Sequence, residues 1–119
     1  MLVLLPPPRD EQPYFQITPL DAGQVQLREE MLVSDPEDRR LALPALSFLL
    51  RQSEGKTNIL FDLGIKKDIS QYAPAMQEMI NRFFRPCSAD PDVLQSLQDS
   101  EAKLAATDIT HVIISHLHW

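Results

Sequence analysis

Two histidines stand two residues apart in Ser115-His116-Leu117-His118-Trp119, directly after the apolar run Val112-Ile113-Ile114. On extended backbone, residues i and i+2 point to the same side. The imidazoles of His116 and His118 can therefore converge on one point, while Ser115 and Leu117 face away. Imidazole nitrogen suits Zn2+ at roughly 2.0–2.1 Å, and a ligand at the end of a rigid strand is held more accurately than one on a loop. The competing reading is a pair of surface histidines. His111 begins the same run. Its odd spacing from His116 puts it on the opposite face, so it reads as a strand-start residue and not a ligand.

Asp62 closes the stretch Asn58-Ile59-Leu60-Phe61 and precedes Leu63-Gly64. A carboxylate at a strand end can orient a metal ligand through a hydrogen bond, or cap its own backbone in an Asx turn. Both readings stay open on these residues alone. Gly55-Lys56-Thr57 has the ending of a phosphate-binding loop, but that motif needs a Gly where Leu50 stands and a helix where a strand-like run follows. It reads as a hairpin turn. The single cysteine, Cys87, excludes an internal disulfide and fits a reducing, cytoplasmic compartment. Following Pro86 in a polar stretch, it reads as an incidental half-exposed thiol.

The elements that must position these residues follow from hydrophobic periodicity. Tyr14 to Leu20 is strand-like and runs into the turn signal Asp21-Ala22-Gly23, and Gln24 to Arg28 alternates polar and apolar. Together they predict a hairpin or meander. Ser34 to Arg40 reads as a charged surface loop. Leu46 to Arg51 and Thr57 to Asp62 predict a second strand pair joined through Ser53-Glu54-Gly55-Lys56. Met76, Met79, Ile80, Phe83 and Phe84 then form one face of a helix with Pro74 in its first turn. Asp90-Pro91 reads as an N-cap followed by Pro at the first position of a short helix bearing Val93, Leu94 and Leu97. Val112-Ile113-Ile114, apolar on both faces, predicts a buried central strand parallel to a neighbour. Strands, helices and then a strand imply an α/β or α+β domain with helices packed on a sheet.

Composition narrows the partners. The chain has 119 residues, 44% of them hydrophobic, which suits one globular domain or part of a larger one. With 17 acidic against 11 basic residues the net charge is −6, and the only basic doublets are Arg39-Arg40 and Lys66-Lys67. Nucleic acid and anionic membranes need clustered Lys and Arg, so neither is expected as a partner. The apolar start Met1 to Leu5 ends at Pro6-Pro7-Pro8 and has no basic lead-in. A signal peptide needs about 7–15 apolar residues, so residues 1–13 read as a polyproline-like arm on a domain of residues 14–119.

The order LSFLLRQ, EGKTNILFDLG, a helical insert and DITHVIISHLHW resembles the first half of a metallo-β-lactamase-fold hydrolase, most closely the branch of the N-acyl-homoserine lactonases. Ser115-His116-Leu117-His118-Trp119 matches the opening of that family's HxHxDH signature, and Asp62-Leu63-Gly64 matches its Asp-x-Gly element. Ser115 stands where several relatives carry Thr. The resemblance covers residues 14–119 and implies one half of an αββα sandwich. It implies that His116 and His118 are two of three histidine ligands of a first zinc, with Asp62 as a supporting carboxylate. It further implies a lactone or ester substrate, and one or two Zn2+ ions in the complete family domain.

The family's remaining ligands would lie beyond Trp119, so this reading expects a chain cut inside its first metal motif. Such a chain binds zinc weakly, is inactive by itself, and self-associates through an uncovered sheet face. Two other functions fit some of the residues. One is a non-catalytic fragment that pairs with a full-length relative. The other is part of an amidohydrolase-type barrel, which also places HxH at a strand end.

Overall fold

The computed structural model describes residues 6–85 and 87–116. Five strands form one mixed sheet: β1 (Phe15–Arg28), β2 (Arg40–Gln52), β3 (Asn58–Phe61), β4 (Cys87–Ser88) and β5 (His111–Ile113). Two α-helices, α1 (Pro74–Phe83) and α2 (Val93–Asp99), complete an α+β architecture. The strand order is β4-β1-β2-β3-β5. β1 runs antiparallel to β2 and to β4, β2 antiparallel to β3, and β3 parallel to β5. Among the described residues no helix is long and apolar enough to cross a membrane.

Strand alternation divides the sheet into two different faces. On one, Leu20 and Ala22 of β1, Leu49 of β2 and Leu60 of β3 pack against Val93 and Leu97 of α2, with Ala45, Ala102, Leu104 and Ile109 around them. Leu49 and Leu97 are completely buried. Truncating either to Ala removes packing on the order of 2–5 kcal/mol. On the other face the register aligns Ile17, Leu50 and Ile59 in one row and Pro19, Phe48 and Phe61 in the next, and Ile113 extends the second row onto β5. Ile17 is 62% exposed and Leu46, on the same side, 56%. One face carries the core. The other is apolar and open.

Several expectations are corrected. Asp21-Ala22-Gly23 does not turn the chain; it is a bulge within β1, where the pairing with β2 skips between Asp21 and Gln24. Gly23 sits there at φ +102°, and an added Cβ would come within 2.8 Å of the Ser88 carbonyl oxygen. The glycine therefore admits β4, whose Cys87 pairs with Val25. Cys87 lies on a short strand and not in a loop. The charged stretch ends one residue early, because Arg40 already pairs with Arg28 and opens β2. Helix α2 is capped by Asp92, whose side chain accepts from Gln95 N–H at 2.8 Å, and the Asp90–Pro91 peptide before it is cis.

β5 is parallel to β3 as expected, but it is an edge strand. Val112, Ile113 and Ile114 are 50%, 44% and 44% exposed, since among the described residues β3 alone flanks β5 and no layer covers the outer face. An apolar run reports what a strand tolerates on its faces, not how many neighbours it has. The Ser53–Lys56 turn and helix α1 form as expected, and Pro74 occupies the first turn of α1. Of the Met and Phe stripe only Ile80 is fully buried.

An exposed apolar face of this extent favours self-association. At tens of micromolar the chain is expected to sediment as species larger than a monomer, and Ile17→Lys with Leu46→Lys should shift it toward monomer. A sharp wild-type monomer with a cooperative melt would contradict this expectation.

Candidate functional site at the ends of the parallel strands

β3 and β5 run in the same direction, so both carboxyl ends open at the same edge of the sheet. That is where open sheets containing parallel strands commonly place ligands. At the start of the pair, Thr110 N–H donates to the Asn58 carbonyl at 2.9 Å. Asn58 N–H donates to Thr110 Oγ1 at 3.0 Å, and Asn58 Nδ2 donates to the Asp108 carbonyl at 2.9 Å. At the far end Asp62 N–H donates to the Ile113 carbonyl at 2.8 Å. β5 is thus pinned at both ends.

Asp62 leaves β3 in the left-handed region at φ +61°, a conformation Asp tolerates better than most residues. Two contacts hold it there. Ser47, fully buried on β2, directs Oγ to the carbonyls of Phe61 at 3.0 Å and Asp62 at 2.6 Å. Gly64 follows at φ +64°, and a Cβ there would collide with the Cβ and carbonyl oxygen of Ala22. Ile65 N–H then closes onto the Ala22 carbonyl at 2.9 Å. The Asp-Leu-Gly triplet is therefore a backbone device: it turns the chain away from β3 and leaves the carboxylate facing β5.

That carboxylate reaches Ser115. Ser115 N–H donates to Oδ1 at 2.7 Å and Ser115 Oγ donates to Oδ2 at 2.6 Å. The same hydroxyl lies 2.6 Å from His116 Nδ1. An ionised carboxylate only accepts, and a serine hydroxyl has one proton to give. With that proton directed at Asp62, Oγ accepts from Nδ1–H, an arrangement that in a neutral ring leaves the lone pair on Nε2. The order is Asp–Ser–His. A serine nucleophile needs the histidine in the middle to take its proton, so this hydroxyl orients the ring and is not set up to attack.

The Ser115 hydroxyl, and after it the Ser115 N–H, hold the Asp62 carboxyl below its ordinary value. Desolvation pushes the other way. Elsewhere burial pushes the Cys87 thiol up, so it is not primed as a thiolate. His111 Nδ1 lies 2.9 Å from Thr110 Oγ1 at the opposite end of β5, apart from Asp62, as its spacing implies.

Of the residues singled out in the sequence, Asp62 and His116 are brought together through Ser115. His118 lies outside the described residues. Among the described residues no group of three or more His, Cys, Asp or Glu side chains could hold a metal ion. The described donors are one imidazole and one carboxylate joined through a serine hydroxyl, fewer than a metal site needs. Sequence reasoning missed Ser47 and Ser115 as positioning residues. Ser47 was visible as a lone hydroxyl in the apolar stretch Leu46 to Leu50, but only the fold shows which carbonyls it meets.

No known protein-family profile matches the chain. It is similar to the cytochrome P450 monooxygenase mpaDE of Penicillium roqueforti, with 31% identity over 87 residues. The match covers 71% of this chain and 10% of that relative, so the chain spans about a tenth of its length.

Asp62→Asn should cost about 1–3 kcal/mol at neutral pH, the usual range for a hydrogen bond to a charged group. Because the folded state lowers the Asp62 pKa, this contribution is complete above the ordinary carboxylate range near pH 4 and is lost as pH falls through the depressed value. Denaturant titrations of wild type and variant at several pH values should therefore converge in acid; a gap independent of pH would contradict the Asp62–Ser115 link. Gly64→Ala should cost roughly 2–4 kcal/mol, combining the left-handed backbone penalty with the collision at Ala22, as read by the same titration.

Proposed function

We propose that this chain supplies the first-metal half of a zinc-dependent hydrolase of the metallo-β-lactamase fold, acting on a lactone or ester. One observation carries the reading. Asp62 at the end of β3 is tied through Ser115 to Nδ1 of His116 at the end of the parallel strand β5, which puts the ring's lone pair on Nε2. Metal-ligating histidines are held in this way, with the second ring nitrogen hydrogen-bonded so that tautomer and orientation are set before the metal arrives. The sheet lends support: its helix α2 packs on one face, while the apolar second face is what half of a two-layered β core would present.

Bound zinc lowers the pKa of a coordinated water and polarises a carbonyl oxygen. The chain's own residues contribute orientation. Ser115 accepts from the His116 ring and passes the constraint to Asp62; His116 would be one ligand, and His118, outside the described residues, would be the second. Two imidazoles fall short of the three protein ligands usual at a catalytic zinc. By itself the chain binds zinc weakly and does not turn over substrate; the other ligands would come from a further segment.

A monooxygenase role for this segment has less support. The match covers only about a tenth of that relative. An amidohydrolase barrel would make β5 the first of a ring of parallel strands, whereas β5 joins the edge of an antiparallel meander through β3. The open apolar face favours a second reading, a non-catalytic fragment that pairs with a full-length relative.

Zinc affinity by chelator competition separates these readings. His116→Ala and His118→Ala should each lower it by at least about tenfold, and Asp62→Asn by about 10–100-fold, the usual effect of removing an outer partner of a ligand. If all three variants bind zinc as the wild type does, the metal reading fails. Co-purification with a full-length relative would then stand as support for the interaction fragment.

A further inference from the structure

We propose that a cavity between the free end of the β1–β2 hairpin and the last turn of α1 binds a small amphipathic anion: a carboxylate or phosphate head group on a short apolar body. The cavity has a volume of about 260 Å3 and is lined by Arg28, Glu30, Met31, Arg40, Arg82 and Phe83. None of Asp62, Ser115 or His116 lines it. It is a separate site.

Its charge is unusual for this protein. The chain as a whole carries −6, yet three arginines and one glutamate line this cavity. Arg28 and Arg40 are direct cross-strand partners, the last residue of β1 and the first of β2. Like charges placed opposite each other across a strand pair destabilise it. The obvious neutraliser is Glu29, and it is taken: Arg39 grips both of its oxygens at 2.9 and 2.7 Å, and Glu37 N–H donates to one of them at 2.9 Å. Among the described residues Arg28 pairs with Glu30, at 3.4 Å in an exposed pair. Such a pair contributes little.

The third arginine comes from a different element. Arg82 lies in the last turn of α1, with its guanidinium 5.0 Å from the Phe83 ring centroid. Arg40 is oriented by a 2.6 Å hydrogen bond from Nη1 to the Arg85 carbonyl, just beyond that helix. Guanidinium groups are the side chains that grip carboxylate and phosphate oxygens two at a time. Met31, 46% exposed, and Phe83, 36% exposed, supply an apolar wall beside them. The volume lies just below the usual range of small-molecule sites, which limits the ligand to a short body. The same chemistry is offered by a fatty carboxylate or by a phosphate monoester.

The test is isothermal titration calorimetry on the full chain with octanoate, octyl phosphate, octanol and inorganic phosphate. At least one of the two anionic amphiphiles should bind, and the tighter of them identifies the head group; octanol and inorganic phosphate should each bind at least about tenfold more weakly. Arg28→Gln and Arg82→Gln should each weaken binding by about tenfold, the effect of one lost hydrogen bond to a charged group. Arg9→Gln, remote from the cavity, and Leu46→Lys on the open sheet face should leave it unchanged. The proposal is overturned if neither anion binds, if octanol or inorganic phosphate binds as well as the amphiphiles, or if both cavity variants bind like the wild type. An equal loss in Arg9→Gln, or a loss in Leu46→Lys, would also overturn it. Arg82→Gln changes an exposed side chain at a helix end, so it keeps the fold even if Arg28→Gln does not.

Discussion

The bridge from Asp62 to Ser115 is the interaction on which the rest of this architecture turns. β5 is three residues long, lies at the sheet edge and buries little, so packing alone gives it a weak hold. Its position is set by hydrogen bonds at its two ends, Asn58 with Thr110 at one and Asp62 with Ser115 at the other. The second clamp both closes the parallel pair and sets the ring of His116. Strand docking and site geometry are therefore one structural event.

The support behind Asp62 extends through three earlier elements. Ser47 on β2 binds the carbonyls on either side of the β3 exit. Ala22, at the bulge of β1, receives the Gly64–Ile65 backbone. Leu20, Leu49 and Leu60 pin those strands onto α2 through the buried core. A carboxylate in the left-handed region is retained only where its surroundings over-determine it, and here a hydroxyl, a glycine approach and a sheet core do so together.

The open face gives the same sheet a second character. Helix-covered on one side and apolar on the other, the sheet has more apolar surface than this chain covers. That imbalance makes its solution behaviour depend on whatever meets Ile17, Leu46 and Phe48. The arginine cavity, in contrast, is built from the ends of β1, β2 and α1, where Glu29 is already committed to Arg39. The two surfaces are chemically opposite and spatially separate.

Sequence alone determined the elements whose signals are local. These are the 3.6-residue stripe of α1 with Pro74 at its start, the turn at Ser53–Lys56 and the α+β class, with Asp62 and His116 singled out as residues of chemical interest. Its errors share a cause. Asp21-Ala22-Gly23 has turn composition, but whether such a triplet turns or bulges depends on the approach of β4 to Gly23. Val112 to Ile114 is apolar enough for a central strand, but neighbours are a property of the whole sheet. What only the tertiary structure decided is connectivity across distance. The contact of Ser115 with a carboxylate 53 residues earlier, the anchoring of that carboxylate's backbone by Ser47 and the pairing of Arg28 with Arg40 arise from strand register, while the docking of α1 brings Arg82 to the same cavity. Alternation and turns constrain the register of neighbouring strands, but which distant segments meet is decided by packing of the whole sheet and its helices.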